Sequence, residues 1–592
     1  MINAVPPAFL YIIGALILPC VKNHRLKQGL ALLIPVLAFV NLLSMPHGTF
    51  WTVDFLKYQL ILGKVDSLSL VFGFIFVIAS FISMLYGIHI KETGQHTAAY
   101  LYVGSTLGVV FSGDLFTLFL FWEMMAASSV FLIWYRRTKA SQEAGYRYLL
   151  VHVTGGCILL AGIVIHVANT GSISFGQMDY HTLAGKFILC GFLINAAVPP
   201  LHAWLADAYP ESTITGGVFM TAFTTKSAVY VLARGFPGVE LLVWLGAIMA
   251  LYGVVYAVLE NDIRRLLAYH IISQVGYMVC GIGLGSEMAI NGASAHAFSH
   301  ILYKAVLFMG MGAVIHVTGC SKMTDLQGRG LYRKMPITLA LYMVGAFSIS
   351  AVPLFNGFIS KTMVVAAAGQ ADRPFIELML HLASVGTFLH TGLKLPWGTW
   401  FGRRNDEADE FTDAREPPLN MLLAMGLGAF LCVLTGVYPK ILYDLLPFQV
   451  DFHPYQPSHV IGMLQLLLLT AAAFWIFIDK LGGEPFISID TDWFYRIPAR
   501  ALYRFSENQL AWICNQTQEQ ASRLVQKLTW LSRNPYLIID LIDRPKQLKT
   551  GEPDSQSENL EEQTHRQPIG LGALAALIML CACLYLGLLY QY

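Results

Sequence analysis

The chain has 592 residues, 56% of them hydrophobic and 13% charged, with a formal net charge of +1. Soluble globular domains carry about 25% charged residues, so this balance, with a mean hydropathy of +0.57, excludes a water-soluble globule and points to a membrane. A charge this close to zero also argues against a nucleic-acid partner.

Taken in chain order, apolar runs long enough to span a bilayer fall near 7–21, 28–46, 67–89, 97–113, 115–135, 145–168, 184–206, 213–235, 239–259, 265–285, 289–317, 336–361, 374–395, 418–438, 459–480 and 569–591. The expectation is an all-α polytopic membrane protein of about sixteen helices. No basic stretch precedes Pro6–Cys20, so this run reads as a retained first span rather than a cleaved signal. The nine cysteines are scattered without zinc or iron–sulfur spacing and read as small hydrophobes. No cofactor and no metal is predicted.

Basic residues gather after odd-numbered spans: Lys22, Arg25 and Lys27; Arg136, Arg137 and Lys139; Arg264 and Arg265; Lys322, Arg329, Arg333 and Lys334; then Arg403, Arg404 and Arg415. One face of the membrane collects them, which predicts that face as cytoplasmic and the N-terminus outside.

Two spans carry prolines in mid-course. Pro199 and Pro200 interrupt the seventh, and Pro353, followed by Gly357, interrupts the twelfth and releases the carbonyl of Ile349. Unpaired carbonyls at membrane depth are tolerated only where protein or a wet cavity receives them. A five-span unit reverses orientation when repeated, so spans 97–235 and 239–395 are expected to form two inverted five-helix repeats, each with one broken helix. Residues 1–96 supply N-terminal helices and 418–480 further core helices. Residues 484–568 read as a cytoplasmic segment with an amphipathic helix from Ile513 to Pro535 and a polar linker over 551–567, ahead of a last span in 569–592.

The fifth span, Leu115–Tyr135, holds Glu123 at its middle, where an ionised group costs at least about 2.5–3.5 kcal/mol. A mere anchor would carry leucine there. Lys226 lies well inside the eighth span, too central to snorkel comfortably to a helix end. His296, His300 and Lys304 are spaced i, i+4, i+8, drifting only about 80° while climbing about 12 Å. They line one stripe, a proton wire of imidazoles and an amine, against the alternative of polar side chains gluing helices together. Zinc binding through the two histidines lacks a third ligand. Lys361, His270 and His202 are further candidates, each set against helix-end packing, while Glu377, His381, His390 and Lys394 line an exit or only its rim.

Several motifs carry a resemblance. Phe121-Trp-Glu-Met, the stretch from Pro200-Leu-His-Ala-Trp, Thr225-Lys-Ser-Ala-Val-Tyr, Arg264-Arg-Leu-Leu-Ala-Tyr, His296-Ala-Phe-Ser-His-Ile-Leu-Tyr-Lys and Pro353-Leu-Phe-Asn-Gly-Phe-Ile-Ser-Lys are similar, in the same order, to the antiporter-like family. This family comprises proton-pumping membrane subunits of respiratory complex I, related hydrogenase subunits and the large subunits of Mrp-type sodium/proton antiporters. The resemblance covers roughly 60–440 and is greatest to the large D-type component of the Mrp antiporters. It implies a central polar axis in which Glu123 is the ion-pair carboxylate, Lys226 the central lysine, His300 and Lys304 relay groups and Lys361 the exit lysine. Where the family usually has a lysine partner for the fifth-span glutamate, this chain has Asn195, which can hydrogen-bond a carboxylate but not neutralise it. Either Lys226 or His202 takes over, or Glu123 is protonated at rest.

Together these readings predict an inner (plasma) membrane subunit without chemistry of its own that works with other membrane subunits. It either exchanges protons for sodium or potassium, or conducts protons within a complex I-like, hydrogenase-like or substrate-uptake complex. The rival from another class is a scaffold with incidental buried charges.

Overall fold

A computed structural model describes residues 5–402, 411, 413–481, 490–533 and 578–580. Residues 551–567 and all but three residues of the last expected span lie outside the described residues. The chain divides between Asp492 and Trp493 into two compact units.

Helices α1 (Pro7–Ile17) and α2 (His24–Leu43) lead into an antiparallel hairpin, β1 (Gly48–Phe55) and β2 (Tyr58–Val65). The hairpin is absent from the sequence expectation. Its strands are only eight residues each, rich in aromatic and β-branched side chains that suit a pleated surface. Buried Asp114 ties it to the membrane core by accepting from Ile61 N at 2.7 Å while capping the next helix through Thr117 N at 2.8 Å.

The core then runs through α3 (Ser67–Gly87), α4 (Thr93–Phe111), α5 (Leu115–Trp134), α6 (Lys139–Thr170), α7 (Leu183–Asn195), α8 (Ala203–Ala208), α9 (Ile214–Ala222), α10 (Thr224–Gly235), α11 (Glu240–Leu259), α12 (Ile263–Leu284) and α13 (Glu287–Thr318). Two one-turn helices, α14 (Met323–Leu326) and α15 (Leu331–Lys334), precede α16 (Pro336–Ile349), α17 (Asn356–Gln370) and α18 (Pro374–Thr387). Next come α19 (Leu419–Val437), the short α20 (Lys440–Tyr443), α21 (Pro457–Ile476) and the short α22 (Ile478–Leu481). In the second unit α23 (Asp492–Arg504, its first residue still in the first unit) is followed by α24 (Ala511–Arg533), the amphipathic helix expected from Ile513. Among the described residues nine helices have the length and hydropathy to cross a bilayer, and shorter apolar helices accompany them. The protein is a polytopic, all-α membrane protein.

Helices α11 and α12 pack at backbone distance because small residues face each other. A methyl at Gly246 would sit 2.3 Å from Cys280 N, and one at Gly276 2.5 Å from Ala250 N. This close seam fixes α12, which carries His270, against its neighbours. Helix α13, 32 residues long and buried along most of its length, is the central post.

Two spans break where the prolines predict, between Asn195 and Ala203 and between Ile349 and Asn356. Two others break where the sequence reading expects regular helix. The eighth, expected to be continuous over 213–235, divides at Phe223 (φ −102°, ψ −67°). The thirteenth, expected to be regular over 374–395, passes at Phe388–Lys394 into a π-helix, a widened turn common at functional sites.

Candidate functional site

Three buried lysines donate to carbonyls at helix breaks or helix ends, two of them across interruptions just described. Lys226 Nζ donates to Thr221 O at 2.6 Å, across the break at Phe223. Lys361 Nζ donates to Ile349 O at 3.0 Å, the carbonyl that Pro353 releases. Lys394, at the end of the π-helix, donates to Val258 O and, at 3.1 Å, to Glu260 O, where α11 ends. All three side chains are buried. A carbonyl dipole stabilises an ammonium without being a fixed counter-charge, so the lysine is held in place but not locked in an ion pair.

Lys304 is different: its Nζ lies 3.4 Å from His270 Nδ1 and 5.6 Å from the centre of the Phe308 ring. The tautomer of His270 follows from its other side. Thr387 Oγ1 donates to Ala383 O, so it accepts from His270 Nε2 at 3.3 Å. Nδ1 is then the free acceptor, turned toward the Lys304 ammonium. The His270 ring is 4.7 Å from that of His390, whose Nε2 has no hydrogen-bond partner. Lys394 follows one turn later. The row His270, His390, Lys394 therefore continues from Lys304 on α12 and the π-helix.

At the other end of the α13 stripe, His296 Nδ1 donates to Ser360 Oγ at 3.1 Å, since Ser360 itself donates to Asn356 O. His296 Nε2 faces Tyr303 OH at 3.5 Å, and Lys361 sits 5.0 Å from the centre of the Tyr277 ring. Between them, His300 is fully buried with neither ring nitrogen hydrogen-bonded. Its ring lies 5.3 Å from Tyr303 and 6.4 Å from His296. An imidazole buried with two unpaired nitrogens is costly as structural glue.

Glu123 is half-buried on α5 and rests on α6, its Oε1 against Gly156 and without a hydrogen-bond partner. Asn195, which could have bonded it, does not. Asn195 Oδ1 instead accepts from His152 Nδ1 at 2.8 Å, the His152 ring being held between Tyr148 and Trp204 at 4.2 and 4.5 Å. His152 was missed because a lone histidine in an apolar span reads as packing, although it stands one turn before Gly156 on the same helix face. Neither proposed substitute pairs with Glu123: Lys226 turns to Thr221 O, and His202 Nε2 lies 3.1 Å from Asp490 Oδ1.

Asp490 is the second residue that sequence reasoning passed over. Its buried carboxylate also accepts from Tyr252 and Tyr269, each at 2.5 Å. Burial works against its ionisation, but the bonds from His202, Tyr252 and Tyr269 outweigh it and hold the carboxyl below the usual range. Glu377 and His381, 3.8 Å apart and partly exposed, line a cavity of about 270 Å³ with Thr362 and His459. They stand apart from the buried row. Among the described residues no three His, Cys, Asp or Glu side chains converge as a metal site would need.

Residues 112–388, which hold the buried lysines and histidines described above except His390 and Lys394, match the family described as NADH:quinone oxidoreductase/Mrp antiporter, TM. This core is similar to that family. The chain is similar to the A/B component of a probable K(+)/H(+) antiporter of Rhizobium meliloti, with 33% identity over 57% of this chain and 36% of that one. It is similar to the A component of the Na(+)/H(+) antiporter of Alkalihalophilus pseudofirmus at 30% identity, over 64% and 52% respectively. It is likewise similar to the N component of the NADH-quinone oxidoreductase of Desulforudis audaxviator at 32%, over 51% and 64%. The chain thus spans less than two thirds of the length of each of these relatives. Among solved structures, a chain of the membrane-bound sulfane sulfur reductase, an archaeal respiratory membrane complex, superposes with a TM-score of 0.68 at 21% identity, covering 98% of this chain and 100% of that one. A chain of the Mrp complex from Dietzia sp. DQ12-45-1b gives 0.65 at 20% identity, covering 78% and 98%. These two likenesses are of fold, and the antiporter-like fold extends well beyond the matched core.

Proposed function

We propose that this antiporter-like chain translocates protons, in exchange for sodium or potassium, as one member of a multi-subunit cation/proton antiporter in the cell inner membrane. The observation that carries the reading is the row of buried bases Lys226, His300, Lys304, His270, His390 and Lys394, with Lys361 and His296 on a branch. A proton held by Lys304 has an acceptor lone pair on His270 Nδ1, 3.4 Å away. His270 can then release its Nε2 proton toward Thr387, beside the His390 ring that lies 4.7 Å from its own. The lysines bound to carbonyls can lose a proton without leaving a buried carboxylate stranded, a loss that costs about 3–5 kcal/mol in a broken buried ion pair. Glu123, next to Gly156, is the acidic end of the path.

The test is proton flux in vesicles holding the complex that copurifies with this chain. Lys226→Ala and Lys304→Ala are expected to abolish sodium- or potassium-dependent flux while the complex still assembles. Unchanged flux in both variants overturns the relay, and a loss of assembly without a specific loss of flux supports the scaffold reading.

A second reading, a one-way proton conduit in a complex I-like, hydrogenase-like or substrate-uptake complex, is favoured by one observation. The residue standing where the family usually has a lysine, Asn195, is occupied with His152, which leaves Glu123 no adjacent cation to exchange against. Proton flux indifferent to sodium and potassium decides for this reading.

A further inference from the structure

On the face where the basic loops gather, away from the row of relay groups, a cavity of about 280 Å³ lies between the ends of α3 and α13 and the starts of α9 and α12. Its polar lining comes chiefly from His89, Gln95, Arg136, Thr213, Arg264 and His316. None of its lining residues is acidic. Arg136 is neutralised from outside, Nη1 donating to Glu211 Oε2 at 2.8 Å. Arg264 is not. Its side chain is 3% exposed, Nη1 donates to Ser212 O at 2.9 Å, and Nε has no hydrogen-bond partner. Among the described residues it forms no ion pair.

A guanidinium carries five donors in a fixed fork; the Asp262 and Glu211 carboxylates lie close enough to act on its charge but neither bonds its side chain, so the buried N–H remains to be met by a further acceptor. The two imidazoles stand at the same mouth, the His89 and His316 rings 5.7 Å apart, with His89 Nδ1 3.0 Å from Asn420 Nδ2. Bidentate Arg–phosphate pairing matches a tetrahedral oxyanion better than a single carboxylate. The volume exceeds that of several waters at about 30 Å³ each, enough for a phosphodiester and its polar substituent.

We infer that this cavity binds a phosphate-bearing anion, with Arg264 as its principal ligand and Arg136, His89 and His316 around it. That chemistry has two sources at this face of a membrane protein: inorganic phosphate in solution, or the headgroup of an anionic phospholipid.

The experiment uses the full-length protein, delipidated in zwitterionic detergent, and titrates it separately with sodium phosphate and with dioctanoyl phosphatidylglycerol. Thermal unfolding and native mass spectrometry follow binding. The expected result is a saturable rise in the unfolding midpoint and a one-to-one adduct with at least one probe. Saturation by phosphate assigns the free ion, and a requirement for phosphatidylglycerol assigns the lipid. Arg264→Gln should need about tenfold more of the active probe or lose the response. Because Arg264 is buried, Arg136→Gln and His316→Ala are read beside it. Both positions reach the surface, and each should weaken binding severalfold at an unchanged midpoint without ligand. If neither probe binds, or if Arg136→Gln and His316→Ala bind as the unaltered protein does, the assignment is overturned.

Discussion

Replacing Gly156 by alanine sets a methyl carbon 1.8 Å from Glu123 Oε1, 2.7 Å from its Cδ and 3.1 Å from Oε2. Ordinary contact begins near 3.4 Å, so the nearest oxygen must retreat by about 1.6 Å, the difference between 3.4 and 1.8 Å. What blocks the methyl is the far end of a side chain rather than backbone. The helix pair therefore survives at an overpacking cost of about 1–3 kcal/mol, and the carboxylate moves. A misplacement of about 1 Å can lower a geometry-limited transfer about a hundredfold. Proton flux in vesicles is therefore expected to fall by one to two orders of magnitude, with assembly, judged on native gels, unchanged. Gly155→Ala is the control: its methyl meets Ile194 Cγ2 at 3.2 Å and points away from Glu123, so flux should stay near its original level. Full flux in Gly156→Ala, or an equal loss in Gly155→Ala, refutes a working role for the seat of Glu123.

Two further outcomes follow from the hydrogen bonds. Lys361→Met removes the donor to Ile349 O and strands a buried carbonyl, costing about 1–3 kcal/mol; the thermal midpoint should fall and flux should be lost together, and an unchanged midpoint speaks against the Lys361–Ile349 bond. Asp490→Asn tests the carboxylate at the first proline break. A depressed folded-state pKa contributes stability that is full above the ordinary carboxyl value of 3.8 and is lost progressively as pH falls from there toward the lower folded-state value. The unaltered protein should thus melt higher than Asp490→Asn at pH 7 and pH 5, with the gap closing below about pH 3.8; a gap that persists unchanged at pH 3 contradicts the linkage.

The reading of breaks from prolines succeeded at Pro353 down to the released carbonyl of Ile349, because proline removes a donor by covalent structure alone. The break at Phe223 has no such marker, and the π-helix at Phe388–Lys394 has one that the span reading does not use, Pro396 just beyond it. The break at Phe223 arises where a neighbouring helix competes for the same backbone, Tyr102 OH accepting from Thr224 N at 3.0 Å at the start of α10. The hairpin at 48–65 was hidden for a different reason: short strands between strong spans give too weak a periodic signal.

Residue by residue, the sequence alone determined that the chain crosses a membrane many times, where prolines interrupt it, and which charges fall inside apolar runs, since the cost of burying charge in hydrocarbon depends on residue type and depth. Only the tertiary structure decided who meets whom. It gave Asn195 to His152, His202 to Asp490 and three lysines to carbonyls, and it left His300 and one oxygen of Glu123 unpaired. Hydrogen bonds reach about 3 Å, and partners up to 335 positions apart in the chain come within that reach only after the helices have packed.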